Sequence, residues 1–296
     1  MPTTLPPFVS SADLESLIAE AGRRERRLVI ADVRWYLDGR SGRDAYHADH
    51  IAGAVFVDLD EWLAGPPSPT EGRHPLPDPE RFARGMTEAG VGDDSTVVAY
   101  DDAGGVIAAR LAWMLRVLGR DAAVLDGGIT AWQGELGAGA AVAGRRAAPR
   151  ADATFTAAAW PASALASIDE TQARAADGSA LVLDARTADR FAGETEPVDA
   201  RAGHIPGARN LSVRDHIGGD GRLRDLDELR ARFAQFGLAP GGAAPGSDVI
   251  AYCGSGVTAC HELLVLEHAG LGRGRLFAGS WSQYAADAQR PLATGA

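Results

Sequence analysis

The feature that most constrains this chain is that it contains itself twice. The run Leu28-Val29-Ile30-Ala31-Asp32-Val33-Arg34 is echoed by Leu181-Val182-Leu183-Asp184-Ala185-Arg186. His50-Ile51-Ala52-Gly53-Ala54 is echoed by His204-Ile205-Pro206-Gly207-Ala208, and Val97-Val98-Ala99-Tyr100-Asp101 by Val249-Ile250-Ala251-Tyr252-Cys253. A fourth pair joins Asp126-Gly127-Gly128-Ile129 to Ala278-Gly279-Ser280-Trp281. The same number of residues separates Asp32 from Asp184 and Asp101 from Cys253, and the histidine pair departs from that offset only slightly. So long a period means a duplicated domain and not a stack of small repeats.

Within each copy, short β-branched runs ending in an acidic residue read as buried parallel strands. Each copy opens on a capped helix. Ser10 and Asp13 precede Leu14, Leu17, Ile18 and Ala21 at helical spacing; Ser167 and Glu170 form a capping-box pattern, with Gly178 placed to stop the helix. Helical stretches at Ala108 to Leu118 and Thr258 to His268 alternate with the strands. The expectation is α/β: two tandem domains, each a central parallel sheet flanked by helices. Their expected limits are 1–136 and 161–296. The Ala-, Gly- and Arg-rich stretch 137–160 is expected as a linker packed over the surface.

The copies differ most after the third landmark strand. Copy one reads Asp101-Asp102-Ala103-Gly104-Gly105; copy two reads Cys253-Gly254-Ser255-Gly256-Val257-Thr258. Ligands of open α/β sheets bind beyond the carboxyl ends of the strands, where Cys253 is predicted to sit. Backbone N–H groups of a tight loop form a nest for negative charge, and the start of the next helix adds partial positive charge. Both stabilise a thiolate. Gly254 and Gly256 let the backbone curl close to the sulfur, and Ser255 and Thr258 add hydroxyls. The competing reading is a buried packing cysteine, which is the expectation for Cys260, inside a helix near Leu263 and Leu264.

Bulk properties exclude several classes. With 46% hydrophobic and 23% charged residues in 296, the chain is of globular composition. A net charge of -11 repels a phosphate backbone, so nucleic acid is not an expected partner. Two cysteines make neither a disulfide framework nor a zinc cluster. No basic-then-apolar leader or membrane-length apolar run is visible, so a cytoplasmic protein without membrane association is expected.

At the Cys253 loop the chain resembles a tandem-domain rhodanese family sulfurtransferase, and the loop Cys253-Gly254-Ser255-Gly256-Val257-Thr258-Ala259 is similar to that of the 3-mercaptopyruvate-using members. Asp184-Ala185-Arg186, Gly203-His204-Ile205-Pro206-Gly207 and Gly279-Ser280-Trp281-Ser282 carry the resemblance further. It implies a catalytically silent first domain and a persulfide formed on Cys253 of the second. It also implies a relay of Ser255, His50 and Asp44, a donor carboxylate bound by Arg190, and donor contacts from Gly254, Gly256, Val257 and Thr258. Where the family has a second arginine after Glu-Pro, this chain has Val198, and Arg201 is the expected substitute. His50 has a twin in His204 and so a structural alternative, as Arg190 has in a surface ion pair. The expected partners are a small sulfur donor and, as acceptor, thioredoxin, another thiol or cyanide; no cofactor is called for and a monomer is expected. The uncharged loop favours mercaptopyruvate over the thiosulfate dianion, which stays open as the alternative donor. Two rivals also stay open. One is a Cys-dependent phosphatase, which would want an Arg where Ala259 stands; the other is a carrier module without turnover.

Overall fold

The computed structural model describes residues 5–23, 27–139, 153–240 and 248–295. They cluster into two units. One comprises residues as far as Gly65, Pro77–Trp160 and Gly219–Leu223; the other comprises Pro66–Leu76, Pro161–Gly218 and Arg224 onward. The expected division into consecutive blocks therefore misses an exchange of two segments. Gln283 Nε2 donates to the Thr70 carbonyl, and the Arg73 N–H donates to Ser282 Oγ at 3.1 Å, which ties the first of these segments to the second unit. Of the expected linker, 140–152 lies outside the described residues. Beyond it, Phe155 packs edge-on against Phe82 in the first unit, and Trp160 Nε1 donates to the Pro77 carbonyl at 2.8 Å.

The first unit runs β1 (Phe8–Val9), α1 (Ser11–Gly22), β2 (Leu28–Asp32), α2 (Gly42–Ala48), β3 (His50–Ile51), β4 (Val55–Phe56), α3 (Pro79–Glu88), β5 (Thr96–Tyr100), α4 (Ala109–Val117), β6 (Asp121–Leu125), α5 (Gly128–Ala131) and β7 (Leu136–Gly137). Its parallel sheet has the order β1-β6-β5-β2-β4. The second unit runs α6 (Ile168–Asp177), β8 (Leu181–Asp184), α7 (Ala188–Ala192), β9 (Arg209–Asn210), α8 (Leu226–Ala234), β10 (Val249–Tyr252), α9 (Ala259–His268), β11 (Arg275–Leu276) and α10 (Ser280–Ala286). Its parallel order is β11-β10-β8-β9. The landmark pairs map one order onto the other. Even β1 has a shadow in the parallel bridge Leu165–Leu276, and the β3–β7 pair has one in the bridge His204–Ala293.

Local chemistry explains the elements. Ser10 and Asp13 close a reciprocal capping box on α1. Ser167 accepts from the Glu170 N–H on α6, and Gly178 ends that helix at φ 69°. The central strands β2, β5, β8 and β10 are almost wholly buried, as parallel strands covered on both faces must be. Each strand ending in Asp carries an internal counter-ion. Arg34 forks onto Asp32, and Arg186 forks onto Asp184 with its Nη2 at 2.6 Å. Among the described residues no helix is long and apolar enough to cross a membrane.

Candidate active site

Cys253 stands one residue past β10, 2% exposed, between that strand and α9. Two segments of the second unit hold it. The Gly256 N–H donates to Cys253 Sγ at 3.1 Å. Ser280 Oγ accepts from the Cys253 N–H at 3.1 Å and donates to the Phe277 carbonyl. The N–H groups of Trp281 and Ser282 donate to the carbonyls of Cys253 and Gly254, both at 2.9 Å. Ser280 adopts φ 52°, a conformation that costs a residue with a Cβ about 1–3 kcal/mol and that this fully buried lattice of bonds sustains. Val257 is buried in the turn, and Thr258 caps α9 without a side-chain bond.

The first unit shows what the loop is shaped for. Asp101, at the matching place, is fully buried, and its carboxylate accepts from the N–H groups of Ala103, Gly105, Ile107 and Ala108 at 2.7–2.9 Å. This is an anion nest with the anion built in. Gly104 and Gly256, at matching positions, share φ 81°. In the first unit the nest is filled by a carboxylate that cannot accept sulfur; in the second it faces a thiol.

Ser255 Oγ lies 2.7 Å from His74 Nδ1. His74, and not His50, is thus the histidine brought to Ser255. His50 belongs to the first unit, where its Nδ1 contacts the Tyr46 carbonyl at 2.8 Å and its ring stacks on Tyr46. His204 does the same in the second unit, against the Phe191 carbonyl and ring, and burial lowers its pKa. The two histidines thus make the same kind of contacts at matching places in the two units. Asp44 is exposed on the first turn of α2, where Ser41 Oγ accepts from its N–H.

Arg190, on α7, donates from Nη2 to Glu196 at 2.6 Å and to Asp199 at 3.4 Å. Glu196 Oε1 also accepts from the N–H groups of Val198 and Asp199, which bends Glu196–Asp199 back toward α7. Burial raises the Glu196 pKa, but the Arg190 bond and these two N–H groups outweigh it and the net shift is downward. A second guanidinium arrives from the segment before His74: Arg73 pairs with the other oxygen of Asp199. A Cβ placed on Gly254 would stand 3.2 Å from Arg73 Nη2 and 3.5 Å from Arg190 Nη1. Two cations therefore reach the Cys253 loop, and the small residue at 254 leaves the room beneath them.

Arg201, expected to bind donor, is committed elsewhere. Its guanidinium donates to the carbonyls of Tyr284, Ala285, Asp287 and Arg290, closing the C-terminal end of α10. Arg73, His74 and Asp199 lie outside the four landmark segments that reveal the duplication. The available signal was Gly72-Arg73-His74 standing where copy two has Gly221-Arg222-Leu223, with a histidine in the first copy alone.

A family model described as a Rhodanese-like domain matches residues 12–135 and 167–287. The chain is 42% identical over 293 residues to a probable 3-mercaptopyruvate sulfurtransferase of Pseudomonas aeruginosa, covering 97% of this chain and 100% of that one. It is 36% identical to a putative thiosulfate sulfurtransferase, SseB, of Mycobacterium tuberculosis, covering 97% of each. Among solved structures, that of SseA from Escherichia coli, described with the rhodanese fold and catalytic mechanism of 3-mercaptopyruvate sulfotransferases, superposes with TM-score 0.74 at 32% identity. It covers 94% of this chain and 100% of that one.

Proposed function

The chain belongs to the rhodanese family, with two copies of its domain, and from that premise we propose that it moves a sulfur atom from 3-mercaptopyruvate to a thiol through a persulfide on Cys253. The observation that carries this reading is the contrast between the two nests: Asp101 fills one and the Cys253 thiol faces the other. The Cys253 thiolate attacks the donor sulfur, and the carbon–sulfur bond breaks. Its electron pair leaves on the pyruvate enolate, which takes a proton to become pyruvate. Cys253 keeps the outer sulfur as a persulfide in the loop. An acceptor thiolate then attacks that sulfur and releases Cys253; thioredoxin or a small thiol is the acceptor class that suits it.

The carboxylate of the donor is bound by Arg190 together with Arg73, both of which reach Gly254. Ser255 and His74 form the proton relay at the donor ketone and enolate, with His74 in the role expected of His50. Gly254, Gly256, Val257 and Thr258 shape the loop, and a single chain supplies the chemistry. Incubation with 3-mercaptopyruvate and a dithiol should release pyruvate and leave, without acceptor, one added sulfur on the Cys253 peptide by mass spectrometry. Failure to turn over either mercaptopyruvate or thiosulfate sinks the enzyme reading.

The two histidines give a sharper check. His74→Asn is expected to lower kcat with mercaptopyruvate by about 10²-fold, the usual worth of one acid–base group. His50→Asn is expected to lower stability while leaving kcat near the parent value. Steady-state kinetics beside thermal melts separates the outcomes, and the reverse pattern restores His50 to the relay.

A further inference from the structure

Arg73 and Arg190 do not meet the donor as bare cations. Asp199 lies between them, its side chain 6% exposed, pairing with Arg73 Nη1 and with Arg190 Nη2. Glu196 engages Arg190 and Arg186, and Asp184 engages Arg186. Three guanidiniums thus face three carboxylates, so the cluster beside the uncharged loop is balanced overall. Burial pushes Asp199 above the ordinary carboxylate range, with Glu196 adding to the rise and the two arginines offsetting part of it. Both arginines nevertheless keep a buried Nε–H without a hydrogen-bond partner among the described residues, so their donor capacity is not used up by the protein. Arg73, Val198, Asp199 and Ser282 also line a surface cleft of ≈ 370 Å³.

We propose that Asp199 is a specificity-determining residue: its carboxylate cancels one charge of the Arg73–Arg190 pair and thereby favours a donor with one negative charge over a dianion. The inference rests on the sulfurtransferase reading and adds to it the residue that sets donor choice. A fixed charge near a bound donor contributes in proportion to the donor's own charge. Removing the negative charge at 199 therefore helps thiosulfate about twice as much as mercaptopyruvate in free energy, whatever the distance. Neutrality of the loop sequence does not settle donor preference, because two guanidiniums reach it from elsewhere; the carboxylate between them does. Arg73 also makes good the cation that Val198 omits.

The test is kcat/KM for thiosulfate and for mercaptopyruvate in the parent and in Asp199→Asn, Asp199→Ser and Asp199→Glu. Both neutral variants are expected to raise the thiosulfate-to-mercaptopyruvate ratio by about tenfold. Asp199→Glu, which keeps the charge, is expected to hold the parent ratio. A structural role alone lowers both donors together and leaves the ratio fixed, which overturns the proposal. Should one neutral variant fail to fold, the other decides. Absence of turnover by the parent overturns the sulfurtransferase reading and this one with it; parent turnover with an unmoved ratio overturns only this one.

Discussion

Cys253→Ser is expected to fold as the parent does and to lose sulfur transfer by at least about four orders of magnitude. Oxygen in place of sulfur removes the nucleophile. A hydroxyl does not ionise near neutral pH and forms no persulfide. The fold is spared because the thiol accepts a bond from the Gly256 N–H, while the backbone of residue 253 is held independently by Ser280 and Trp281. A companion variant follows from the duplication. Cys253→Asp copies the Asp101 arrangement, and the loop should accept the carboxylate as its twin does, giving an inactive protein no less stable than the parent. Sulfide or pyruvate release, intact mass after donor treatment, and thermal melts check all three statements. Persulfide found on Cys260 in Cys253→Ser would move the chemistry to the other thiol, which here donates to the Gly256 carbonyl at 3.3 Å inside α9.

Gly256→Ala is expected to have the second largest effect, on stability and activity together. Gly256 adopts φ 81°, and a Cβ there would stand 2.3 Å from the Ala278 carbonyl oxygen, a backbone atom that cannot swing away. The left-handed conformation and the clash together should cost about 2–4 kcal/mol of stability. The loop must also move, and a shift of about 1 Å at the nucleophile is enough to lower kcat by about 10²-fold. Gly254→Ala is the control. Gly254 has no left-handed φ, and its nearest neighbours are the tips of Arg73 and Arg190, which are flexible ends of side chains. That variant should keep its melting temperature within a few degrees and change KM, because the added methyl takes donor space. Chemical denaturation and steady-state kinetics on both variants decide; equal effects at the two glycines would contradict this account.

Much of the fold was legible because it is local and repeated. A buried β-branched run followed by Asp and Arg can be recognised twice in one chain, and its two occurrences form the same strand in the same sheet position. The N-cap patterns at Ser10 and Ser167 are short-range and produced helices where expected. The repeat pointed to His50 for the relay on a context that His204 shares; in both units that context holds a histidine stacked on an aromatic ring and in contact with a carbonyl. Arg73 and His74 lie outside the four landmark segments, in a stretch whose twin, Gly221-Arg222-Leu223, keeps the arginine and lacks the histidine. Arg201 failed for a related reason, since nothing in its neighbourhood in sequence reveals that four carbonyls near the end of α10 await it.

The duplication, the parallel α/β architecture and the single loop in which a cysteine replaces an aspartate were all readable from the residues alone. These depend on strand burial, helix caps and glycine turns, whose energies act over a few neighbouring residues. Which histidine bonds Ser255, and that Pro66–Leu76 belongs with the second unit, came from the packing of the folded chain. It alone showed that an apparently uncharged loop stands under two guanidiniums restrained by Asp199. Those are meetings of side chains more than a hundred residues apart, such as Arg73 with Asp199 and His74 with Ser255, brought about by chain packing that leaves no period in the sequence.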